Sequence, residues 1–202
     1  MSQHFRRIEQ LRGWRQTVFL LALAERSYPN FALFGQLSGQ VNHELLRRTL
    51  DALWDDVSDR ESSLSYRKIA EMVEAQQPDP AQFEGYGVYP AADACSLTLD
   101  VLFSRLEPDR RLAVASARTS LNTVTDFVEM TDAEGVEEDE LAHHLDRHPL
   151  VKRELRFQRE LVEALQKAPF PSADLLASLR ELACDEGVSN IGIALDDEAE
   201  AE

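Results

Sequence analysis

Apolar residues recur along this chain at three- and four-residue intervals, the pattern of helices with one buried face. Over residues 89–106 they fall at Ala92, Cys95, Leu99, Leu102 and Leu106, and the opposite side, Ala91, Ala94, Thr98 and Val101, is hardly more polar. A helix that is apolar nearly all round is enclosed by other helices. This segment is therefore expected at the centre of the fold. Its start is marked by Gly85 and Gly87, which loosen the backbone, and by Pro90, whose missing N–H is harmless in a first helical turn.

The flanking segments read the same way. A first helix over residues 4–26 buries Ile8, Leu11, Trp14, Val18 and Leu21, with most of its arginines on the other side. It is expected to stop at Ser27-Tyr28-Pro29-Asn30, because the residue before a proline avoids helical angles. A short helix over 31–37 follows, broken by Ser38-Gly39. Asn42 caps the next, which carries Leu46, Leu50, Leu53 and Val57. Residues 66–77 repeat Ile69, Met72 and Val73 before Pro78-Asp79-Pro80. Beyond Pro108, a helix over 109–131 spaces Val114, Ala117, Leu121, Val124 and Val128 so as to lie antiparallel to the central helix. Short and long helices over 141–145 and 150–167 are separated from it by an acidic stretch, and Ser172 opens a last helix that Gly187 ends. Val188 to Leu195 is apolar and extended and should fold back onto the helices. The fold class is all-α: one helical domain over residues 1–195, a bundle of about seven to nine helices, with 196–202 an acidic disordered tail.

Composition agrees with this and narrows the function. A chain of 202 residues, 44% hydrophobic, is long enough to bury a core without staples. Two cysteines, Cys95 and Cys184, make no disulfide framework. The apolar run 18–24 is too short to span a bilayer, and Arg6, Arg7, Arg12 and Arg15 interrupt any leader pattern. A cytoplasmic location follows as the expectation. The net charge of −16 is concentrated late in the chain: residues 1–60 sum to +1 and residues 109–202 to −12. Such a field repels nucleic acid and anionic membrane, and acidic solubility is its commoner meaning than mimicry of DNA.

Few residues carry recognisable chemistry. His144 and His148 share a helix face, as helical zinc ligands do, and His143 adjoins them. No third ligand stands at a defined spacing and Pro149 disturbs the geometry, so no metal is assigned and no cofactor is implied. Cys95 lies near a helix start, which favours a thiolate, but on the apolar stripe, which predicts an inert buried thiol. Asp93 is charged in an otherwise apolar first turn. It either serves the helix terminus or lines a pocket with Tyr86, Tyr89 and the polar side of the next helix, Thr119, Thr123, Asp126 and Glu129. Asp126 and Glu129 lack the Glu-x-x-His partners of a di-iron bundle. There is no phosphate-loop, dinucleotide-binding or nucleophile-elbow motif.

Four stretches, taken in order, carry a resemblance: Ala24-Glu25-Arg26-Ser27-Tyr28-Pro29-Asn30, Tyr86-Gly87-Val88-Tyr89-Pro90-Ala91-Ala92-Asp93-Ala94-Cys95, Glu129-Met130-Thr131 and Glu186-Gly187-Val188-Ser189-Asn190-Ile191-Gly192-Ile193. Together they are similar to the YjaG-like bacterial family, domain of unknown function 416. The resemblance implies a cytoplasmic, all-helical protein and brings no activity with it. Two functional expectations result. The leading one is a non-catalytic protein-interaction or structural and regulatory role, with a protein as partner. The alternative is a small-molecule-binding or enzymatic pocket where Tyr28, Asn30, Tyr86, Tyr89, Asp93 and Asn190 converge at helix breaks.

Overall fold

The computed structural model describes residues 3–58 and 63–195; the acidic tail expected over 196–202 lies outside them. Nine α-helices are found among the described residues: α1 (Gln3–Glu9), α2 (Trp14–Ser38), α3 (His43–Ser58), α4 (Tyr66–Glu74), α5 (Val88–Leu106), α6 (Leu112–Asp132), α7 (Glu138–Arg147), α8 (Pro149–Lys167) and α9 (Ala173–Cys184). The architecture is all-α. Extended pairing among these residues is confined to a single antiparallel bridge between Val188 and Ala194. No described helix is long and apolar enough to cross a membrane.

The break expected at Tyr28-Pro29 does not occur. α2 runs through Pro29 to Ser38, and the helix divides earlier, at Gly13, which takes a φ of +55°. A proline inside a helix costs about 3 kcal/mol through its lost hydrogen bond and its clash with the preceding turn. Ending α2 there would withdraw Phe31 and Phe34, both buried. Each buried phenylalanine is worth roughly 1.5–3 kcal/mol, so together they match or exceed the proline penalty. Gly13 gave no such warning, since one glycine in a periodic pattern costs only about 1 kcal/mol.

The core has two axial helices rather than one. α5 is buried as expected, and packs along α2, α6 and α4. Its most enclosed side is Ala91, Ala94, Cys95, Thr98, Val101 and Leu102, while Ala92, Leu99 and Leu106 lie half-buried at its margin. α2 is more enclosed still: 18 of its 25 residues are buried, against 10 of 19 in α5. It touches α3, α5, α6, α8 and α9. Asn42 caps α3 through Leu45 N–H at 3.0 Å, and Ser172 caps α9 through Leu175 N–H at 3.3 Å. On α4 Val73 is buried but Met72 is exposed. The segment after α9 folds back as the pattern required. Ser189, Asn190 and Ile191 are buried, and Gly192 makes the turn at a φ of +85°.

Arg26 does not lie on an outer face with the other arginines. Its guanidinium is 2% exposed and pairs with the fully buried Glu154 of α8 at 3.1 Å. Glu154 also accepts from Ser120 Oγ on α6 and from Gln158 Nε2, each at 2.8 Å, and Gln158 accepts from His4 Nε2 of α1 at 3.0 Å. Asp185, next to α9, accepts from Arg26 at 3.3 Å and is held by Arg153 as well. α9 therefore ends at Cys184, before the glycine expected to end it. Asp185 and Glu186 adopt φ values of +43° and +57°. Side chains pay roughly 1–2 kcal/mol there, and the two arginine bonds to Asp185 offset that cost.

Glu154→Leu should destabilise the chain by about 3–5 kcal/mol, because it leaves a buried guanidinium with only its longer contact to Asp185 and removes the acceptor of Ser120 and Gln158. The double variant Arg26→Met/Glu154→Leu should cost less than the single one. Urea unfolding followed by circular dichroism measures both. A single-variant loss below about 1 kcal/mol would show that the pair is not sealed from water.

Candidate functional site

Where α2 runs past the core its last turns face the corner before α5. Leu33, Phe34 and Leu37 form one wall of an open groove of about 420 Å3. Phe83, Tyr86 and Val88 form a second wall, and Phe127 of α6 with Ile191 and Ile193 close the end. Phe34 and Phe83 meet edge to face at 4.9 Å between centroids. Gly85 and Gly87 also line the groove, and Gly87 has an ordinary helical φ of −54°. Their contribution is therefore the absence of side chains at the mouth rather than unusual backbone angles. Leu37 is 80% exposed at the rim.

The lining is mainly apolar; Ser38 and the exposed Glu84 also border it, and one polar side chain in it is buried. Asn30 lines the groove and is 3% exposed. Its Nδ2 donates to Asn190 Oδ1 at 2.9 Å, and Asn190 Nδ2 donates to the Ser120 carbonyl at 3.4 Å. That carbonyl can only accept. It therefore sets the Asn190 amide, which in turn sets the Asn30 amide. Asn30 Oδ1 is left buried with no donor among the described residues. An acceptor stranded in this way costs about 1–3 kcal/mol, unless something entering the groove supplies a donor.

A second recess, of about 230 Å3, shares Tyr86 and Pro90 with the groove. Its other walls are Tyr89, Asp93, Thr123 and Asp126. The Tyr86 and Tyr89 rings stand 5.8 Å apart at 44°. Thr123 Oγ1 lies 2.7 Å from Asp93 Oδ2 and 2.9 Å from the Thr119 carbonyl, so one hydroxyl proton serves two acceptors. Burial pushes the Asp93 carboxyl above its ordinary range, the threonine bond pulls it back, and Asp126 pushes it further. Burial first, then Asp126 and Asp93, raises the Tyr86 phenol to about 12. Thr119 and Glu129, expected beside Asp93, contribute no side chain to the walls.

The six candidate residues thus divide into three groups. Tyr86, Tyr89 and Asp93 share the recess, and Asn30 and Asn190 are joined at the groove. Tyr28 stands apart on the α3 side, where Arg47 lies 4.7 Å over its ring and its hydroxyl faces the His43 carbonyl. Of His143, His144 and His148, the last has a structural role, and His144 Nε2 is buried with no partner among the described residues. His148 caps α8 through Leu150 N–H and donates from Nε2 to Asp132 at 2.9 Å. Among the described residues no three His, Cys, Asp or Glu side chains are grouped to hold a metal ion. Cys95 is buried 3.4 Å from the Val73 carbonyl, and burial raises its thiol to about 12. Burial, with Glu25 beside it, raises Cys184 to about 11.

The polar cluster around Glu25 was not foreseen. Glu25 is buried, accepts from the two terminal Arg47 nitrogens at 2.6 and 2.8 Å and from Trp54 Nε1 at 2.9 Å. The available signal was two adjacent charges, Glu25-Arg26, directly after the apolar run 18–24. Glu25 itself is fully coordinated and ties α2 to α3, while Arg47 Nε is buried with no acceptor among the described residues.

Comparison with known proteins agrees with the fold. The family described as "Protein of unknown function (DUF416)" matches residues 3–194. The Escherichia coli (strain K12) "Uncharacterized protein YjaG" is 34% identical over 188 residues, 93% of this chain and 94% of that protein. An "Uncharacterized protein" of Haemophilus influenzae is 27% identical over 190 residues. The crystal structure of a DUF416 family protein from Shewanella baltica superposes with a TM-score of 0.88 at 28% identity, covering 96% of this chain and all of that one.

Two outcomes follow from these environments. The folded form holds the Asp93 proton more tightly than the unfolded chain does. Its contribution to stability is therefore lost as pH rises through the folded pKa, and the ionised form costs stability above it. Asp93→Asn should raise the melting temperature at pH 7, and that gain should vanish below about pH 4. An equal shift at both pH values would assign it to something other than this carboxyl. Separately, neither thiol should react with a disulfide reagent at pH 8 in the native state, and both should react in urea. Rapid native labelling of Cys95 would return it to the list of nucleophiles.

Proposed function

We propose that this chain, which belongs to the DUF416 family of proteins of unknown function, is a non-catalytic cytoplasmic protein that works by holding a segment of another protein. The observation that carries the reading is the uncovered apolar groove, with Leu37 exposed at its rim and the stranded Asn30 acceptor in its lining. Apolar clefts of this kind receive side chains of a partner helix or strand, and a single buried donor–acceptor pair fixes their register. The titratable groups support a binding role over a catalytic one. The thiols are held protonated, and Glu25, Arg26 and Glu154 are each consumed by structural pairs. Two protonated, unbridged cysteines suit a reducing compartment.

A small-molecule pocket is the second reading, favoured by a groove volume within the range of ligand sites, about 300–1,000 Å3. Photo-crosslinking in cells separates the two. With a benzophenone side chain replacing Leu37, a discrete protein adduct is expected. The same replacement at Phe170, exposed elsewhere on the surface, should not give that adduct. Identical adducts from both positions, or turnover of a substrate by the purified chain in a broad hydrolase and transferase screen, would remove the docking role.

A further inference from the structure

The chain has four tyrosines, and two of them show what usually accompanies a tyrosine beside a carboxylate in this fold. Arg47 lies over Tyr28, 4.7 Å from the ring centre, and pairs with Glu25 and Asp51. Arg105 lies over Tyr66 at 5.1 Å and pairs with Asp56 at 3.4 Å. In each case one cation satisfies a carboxylate and the electron-rich face of a ring together. Tyr86 and Tyr89 face Asp93 and Asp126 across the recess in the same combination. Here neither carboxylate has an ion-pair partner among the described residues. Asp93 is partly buried and receives only a shared threonine proton. The recess is an acid–aromatic site with its cation missing, and it opens beside a groove whose own buried acceptor also lacks a partner.

We propose that the segment held in the groove carries a basic side chain, which enters the recess between Tyr86 and Tyr89 and pairs with Asp93 and Asp126. This deepens the docking reading above and rests on it. The two cavities share Tyr86 and Pro90, so one short segment reaches both. Its chemistry is set by the two linings: an apolar residue with a nearby N–H for Leu33, Phe34 and Asn30, and a lysine or arginine for the recess. The charge fits as well. The chain is net −16, and nothing in the recess repels a cation. An acidic or purely apolar segment would leave two carboxylates desolvated and unpaired, which is costly.

The test is selection of random twelve-residue peptides displayed on phage against the full chain, followed by calorimetric titration of the enriched peptides. The expected peptides combine apolar anchors with a lysine or arginine. Replacing that residue by glutamine, or using the Asp93→Asn chain, should each weaken binding about tenfold or more, and both together little further, since they remove one contact. Asp93→Asn retains the shape of the side chain, and an unchanged circular dichroism spectrum verifies its fold. Peptides that are lost with Leu37→Asp but indifferent to Asp93→Asn and Asp126→Asn would overturn the basic-residue proposal and leave the groove as a docking surface. Peptides indifferent to Leu37→Asp, or no enrichment at all, would overturn both. Butylammonium chloride titrated alone, with backbone amide shifts read by NMR, covers the remaining case. Saturable shifts at residues 86–93 without any peptide preference would assign the recess to a free amine and overturn the segment.

Discussion

Glu25 and Arg26 stand side by side in the most buried helix of the molecule, and neither charge is tolerable there without its partners. An isolated charge in such surroundings costs several kcal/mol, so each has to be met by the helix that packs over it. Arg26 is met by Glu154 of α8 and by Asp185, and Glu25 by Arg47 and Trp54 of α3. Because the two side chains leave α2 in different directions, they fasten it on two sides to elements distant in sequence. Ser120 and Gln158 complete the coordination of Glu154 and bring in α6 and, through His4, α1. Apolar packing alone would let these helices slide by a turn. Directed bonds to one buried carboxylate do not.

This arrangement explains the position of the groove. α2 is held firmly enough at its middle to continue through Pro29, and in its last turns Leu33 is only half-buried and Leu37 is exposed. Phe34 beside them is buried against Phe83, so the open side of the helix is the one that carries Leu33 and Leu37. The returning C-terminal segment covers only one end, anchored where Asn190 meets Asn30 and Ser120. Asp93 and Asp126 lie on α5 and α6 where these helices diverge beside the same corner. The fold thus brings together, at a single edge of the bundle, an apolar face and an acidic recess that has no ion-pair partner among the described residues.

Residues far apart in the chain contribute to this edge, which is why it was legible only in part. Tyr86, Tyr89 and Asp93 fall within eight residues of one another on one helix start, and their grouping could be read from the helical repeat. So could the neighbourhood of Thr123 and Asp126, because a short turn forces α5 and α6 antiparallel. Tyr28 was grouped with them only because Pro29 was read as a helix break. With the helix unbroken, residue 28 turns to the α3 side while residue 30 faces the groove. Asn30 and Asn190 are 160 residues apart, and no local pattern predicts which carbonyl orders their amides.

Periodicity along the chain was enough to establish that the protein is all-helical, that residues 89–106 lie inside it and that the final apolar segment folds back. These outcomes depend on hydrophobic burial, which is additive over neighbouring positions and therefore leaves a repeat in the sequence. Whether Pro29 ends a helix, whether Arg26 meets water or Glu154, and which carboxylates keep a cation were decided only in three dimensions. Each is a contest between a local cost and a gain supplied by a distant partner, and the partner's identity is not written next to the residue that needs it.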